Sequence, residues 1–88
     1  MSTEKKFAHE LIIDELENSG ERLLSANHHV EVTACTRSIN SALHILTNMK
    51  ISKEHVEDIV KRLKSLKDKN YFDESQIKKI NEFLVEFL

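Results

Sequence analysis

Two nine-residue stretches, Ile51-Ser52-Lys53-Glu54-His55-Val56-Glu57-Asp58-Ile59 and Phe72-Asp73-Glu74-Ser75-Gln76-Ile77-Lys78-Lys79-Ile80, lie 21 residues apart and are built alike. Each begins with an apolar residue, then a Ser or Asp able to cap a helix, then a second apolar residue five positions after the first. That is the spacing of a hydrophobic staple, in which the cap takes a free backbone N–H of the first turn and the staple fixes the angle of entry. Both stretches therefore predict helix starts. The match extends to Leu63 and Leu84 at the same offset, but two copies of a common helix pattern do not make a solenoid.

Working outward, the first start opens a helix over about residues 53–69 that buries Val56, Ile59, Val60, Leu63 and Leu66, with Asn70 as its stop. The second opens one over 74–88. Its apolar residues Ile77, Ile80, Phe83, Leu84, Val85, Phe87 and Leu88 span roughly 200° of the helix circumference, more than one face against a small core requires. Before these, Cys35, Ile39, Ala42, Leu46 and Met49 repeat in a 4-3-4-3 rhythm that predicts a helix over 31–49 packed along a narrow seam. The rest of that helix is polar but almost uncharged and made of mediocre helix formers, which points to a central helix or one whose polar face is covered. A first helix over 3–26, capped by Ser2 or Thr3, carries Phe7, Leu11, Ile12, Leu16 and Leu23. Gly20 does not break the apolar phase, so this helix is expected to continue through it.

The chain has 88 residues, no proline, one glycine and one cysteine. It is long enough for one domain, spanning 1–88, with a modest core. Cys35 alone permits no internal disulfide and fits a reducing compartment, and no apolar run suggests a signal peptide or membrane span, so the expected location is cytoplasmic with no membrane partner. The net charge of −2 is uneven: residues 1–31 sum to −4 and residues 50–69 to +3. An acidic first helix beside a basic third is the natural consequence, within one chain or across a dimer.

Few residues suggest chemistry. The five histidines include His28 and His29 near Glu31, but the four ligands of a closed zinc site do not appear at any recognised spacing. Cys35 lies in the apolar seam, where a thiol packs as a small hydrophobe. Asp14, Glu15 and Glu17 read as a solvated helix face. No catalytic residue, metal ligand or cofactor is expected, so the chain is read as non-enzymatic.

Three surfaces remain. The wide apolar arc of the last helix, with Tyr71, Phe72, Phe83, Phe87 and Leu88, suits contact with another protein, because exposed aromatic residues serve as binding anchors. Thr33, Arg37, Asn40 and His44 share one arc of the second helix, where Arg37 could grip an anionic small molecule or nucleotide, or meet an acid of the first helix. Lys61, Arg62 and Lys64 form a basic patch suited to nucleic acid, although Glu54, Glu57, Asp58 and Asp68 interleave it. Together these give an expected all-α bundle of about four helices, associating as a homodimer. It is expected to regulate or inhibit another protein by protein–protein interaction.

Overall fold

Phe7 is the first residue described by the structure, a computed structural model covering residues 7–87, and its extended backbone (φ −68°, ψ 154°) delivers the chain into the first helix. Four helices follow: α1 (Ala8–Ser25), α2 (His29–Asn48), α3 (Lys53–Lys67) and α4 (Glu74–Val85), with no strand among the described residues. The expected start of the first helix at residue 3 and its cap at Ser2 or Thr3 lie outside the described residues, and α1 as described begins at Ala8. There Glu10 Oε1 turns back to accept from the Phe7 N–H at 3.0 Å and closes the first turn.

Gly20 lies within α1, which runs through it unbroken. The other boundaries move by a few residues. α2 begins at His29 rather than 31. α3 ends at Lys67, after which Asn70 takes a left-handed backbone (φ 61°), a conformation Asn tolerates and most residues do not. α4 ends at Val85, where the Glu86 N–H donates to the Phe83 carbonyl at 3.2 Å and the Phe87 N–H to the Leu84 carbonyl at 3.1 Å in a tightened last turn, and Leu88 lies outside the described residues.

α1 packs along α2, and each also meets one helix of the second hairpin: α1 touches α3, and α2 touches α4. α1 and α4 stand diagonally across the core, as do α2 and α3. The short Met49–Ser52 connection therefore crosses a diagonal. The molecule measures 40 × 39 × 21 Å, its thin dimension being that of two helices, each about 10–12 Å across with side chains. Between the layers lie Ile13 and Leu16 of α1, Ile39, Leu43 and Leu46 of α2, Ile59 and Leu63 of α3, and Ile80 of α4. Burying each such side chain contributes about 1.5–3 kcal/mol, so together they outweigh the few polar contacts between helices. The 4-3-4-3 seam is real, with Cys35, Ile39, Ala42 and Leu46 all buried and Met49 half-buried.

Polar contacts then fix register. Arg62 of α3 donates to Asp14 of α1 at 2.8 Å, so the basic and acidic helices do lie together. Lys67 of α3 hydrogen-bonds to Asn81 of α4. A trio of rings closes the end where α1 and α3 begin: Phe7 lies 4.2 Å from His55 and His9 4.7 Å from it, centroid to centroid, with His9 buried.

Candidate functional site

α4 carries apolar residues on both its inner and its outer side. Its inner side is set by Gln76, Ile80, Phe83 and Leu84, all buried. Its first turn is held by a reciprocal box: the Gln76 N–H donates to Asp73 Oδ1 at 2.8 Å, and the Asp73 N–H donates to Gln76 Oε1 at 3.0 Å. The Ser75 hydroxyl adds a third bond to Asp73 at 2.9 Å. These donors hold the Asp73 carboxyl below its ordinary range, the Gln76 backbone N–H contributing most. The Gln76 amide then donates to Asn40 Oδ1 of α2 at 3.0 Å. One buried side chain thus caps α4 and ties it across to α2.

With that orientation fixed, the opposite side of α4 is left uncovered. Phe72, Ile77 and Val85 line a shallow groove of about 470 Å³, rimmed by Glu74, Lys78, Asn81 and Glu82. Phe72 and Ile77, the expected staple pair, are half-buried, while Val85 is 67% exposed. The arrangement is an apolar floor within a polar rim of both charge signs.

Tyr71 and Phe83, expected on the contact surface, are instead buried in the core. Tyr71 is drawn in by Gly20: a Cβ at that glycine would lie 2.4 Å from two carbons of the tyrosine ring, so the missing side chain is the seat for the ring. Burial, and after it the carboxylates of Glu21 and Glu17, raise the Tyr71 phenol above its ordinary value. Phe83 faces inward with Ile80 and Leu84, and Phe87 is half-buried against it at 4.9 Å between ring centroids. Of the expected contact set, Phe72 lines the groove and Leu88 lies outside the described residues. Ile77 and Val85 complete the groove, and the breadth of the apolar arc was the signal for them.

The residues of the expected anion contact do not line one depression. Thr33 and Arg37 line one depression with His29, Val30 and Ala34, whereas His44 lines another with Thr47, Lys79 and Glu82. Asn40 is engaged by Gln76. The acid of α1 found paired to an arginine is Asp14, with Arg62, whereas no described carboxylate lies within 4.0 Å of Arg37.

The nucleic-acid patch is also thinned. Arg62 is half-buried against Asp14, which leaves Lys61 and Lys64 as its exposed members. Among the described residues no three His, Cys, Asp or Glu side chains are placed to hold a metal ion, and no helix is long and apolar enough to cross a membrane. In comparisons with protein families, curated proteins and solved structures, nothing matches this chain.

Proposed function

We propose that this chain is a small non-enzymatic protein that regulates or inhibits another protein by binding it, acting as a homodimer in the cytoplasm. The observation that carries the reading is the uncovered groove of α4, with Phe72, Ile77 and Val85 as its floor and charges of both signs at its rim. An apolar helix side bounded by such a rim suits a partner that docks an amphipathic segment along α4. A reducing compartment fits the free, buried thiol of Cys35.

Affinity capture from the native cell with the wild-type chain and with Val85→Glu tests this. Val85 is exposed, so the variant is expected to keep its helicity by circular dichroism while losing the proteins retained by the wild type. An identical capture profile for the two chains counts against α4 as the contact surface.

A further inference from the structure

The groove on α4 leaves open which face joins two copies, and a different face has the properties of a self-contact. α2 is twenty residues long, yet Glu31 and Arg37 are its only residues charged at neutral pH with neutral histidines. Depletion of charge with retention of an arginine is the composition of an interface centre rather than of a solvated helix. Beside it, a second groove of about 290 Å³ runs between α1 and α2, lined by Ile12 and Glu15 on one wall and Arg37, Ser38, Ser41 and Ile45 on the other. Ile45 is 47% exposed, and Leu11, one turn before Glu15, is 55% exposed.

The charges decide the occupant. Arg37 stands without a described carboxylate within 4.0 Å although Glu15 lines the same groove. The groove therefore offers one cation and one anion on opposite walls. A partner of single sign would satisfy one and oppose the other, whereas a second copy satisfies both. We propose that two copies of this chain meet through the outer face of the α1–α2 hairpin. A twofold axis along the groove lays α2 of one copy over α1 of the other, so that Arg37 faces Glu15 of the partner subunit and the reciprocal pair forms at once. Ile12, Ile45 and Leu11 supply the apolar contact between the two pairs. A face about 27 Å long and about 20 Å wide, taken twice, gives roughly 1,100 Å² in total, just above the roughly 1,000 Å² expected of a specific interface. The dimer is accordingly a weak one.

This inference rests on the homodimer in the proposed function, and sedimentation equilibrium across the micromolar to millimolar range separates the two. The wild type is expected to dimerise, and Ile45→Asp to be monomeric with unchanged helicity. Arg37→Glu and Glu15→Arg should each weaken the dimer at least about tenfold, because each reversal acts twice. The double variant Glu15→Arg/Arg37→Glu should recover most of that loss, which a merely structural role for either residue would not produce. A wild type that dimerises, resists Ile45→Asp and both reversals, and dissociates in Val85→Glu overturns this face while leaving the homodimer intact. A wild type that stays monomeric throughout the range overturns both.

Discussion

The starts of α3 and α4 share one sequence pattern and are held by different forces. At α4, Asp73 and Gln76 exchange two hydrogen bonds and Gln76 reaches on to Asn40. At α3, Ser52 occupies the cap position with an extended backbone, but its hydroxyl makes no capping bond. The difference lies three residues past the cap. Gln76 is long, neutral and bifunctional, so it can return to the cap and still bridge to α2. His55 in the equivalent place lies against the rings of Phe7 and His9, and so anchors α3 to α1 by packing. The residues just before each pattern diverge too: Tyr71 is buried on Gly20, whereas Lys50 is exposed. A helix-start pattern thus specifies where a helix begins, while the third residue inside and the one outside specify what that beginning is fastened to.

Removing Gln76 should break the contrast most severely. Gln76→Ala deletes the returning bond and the bridge to Asn40 and leaves a buried void, so it is expected to cost about 3 kcal/mol in urea unfolding. Gly20→Ala comes next: the new methyl group meets the Tyr71 ring, and the overpacking should outweigh the gain in helix propensity by about 2 kcal/mol. In a Tyr71→Leu background the same substitution should cost less than half as much, which a double-mutant cycle measures.

The most direct comparison is smaller. Asp73→Ala should lose about 1 kcal/mol, while Ser52→Ala should change stability by less than about 0.5 kcal/mol. Equal losses at the two caps would erase the distinction drawn here.

The smallest effects are expected in the pH dependence of the thermal midpoint. Asp73 has a folded pKa below its ordinary 3.8, so its contribution is present above that value and is lost as pH falls through the folded pKa. Tyr71 has a folded pKa above its ordinary 10.0, so its contribution holds below that value and is lost as pH rises through the folded pKa. Asp73→Asn should flatten the acid limb and Tyr71→Phe the alkaline one.

Much of the fold was legible because apolar periodicity reports what a helix must bury. The seam of α2 and the passage of α1 through Gly20 follow from apolar periodicity, and the structure has both, whereas α3 stops at Lys67, three residues before the expected Asn70. The contact surface was harder to read. A broad apolar arc does not say which part the core takes, so Phe83 was placed outside when Ile80 and Leu84 carry it inward. Tyr71 sits in a connection with no periodicity of its own, and the cue to its burial lay some fifty residues away, in a lone glycine. Nor could charge counting distinguish Arg62 from Arg37 as the partner of an acid on α1, because that depends on which helices become neighbours.

The seating of Tyr71 on Gly20 has an optical consequence. The chain contains no tryptophan and a single tyrosine, so its near-ultraviolet absorbance and intrinsic fluorescence arise chiefly from that one ring. The phenol is lodged between the end of the first hairpin and the entrance to the last helix, in the company of Glu17 and Glu21. A spectroscopist who heats, titrates or mixes this protein therefore watches chiefly the surroundings of one ring, and the light reports whether the two hairpins are still joined there.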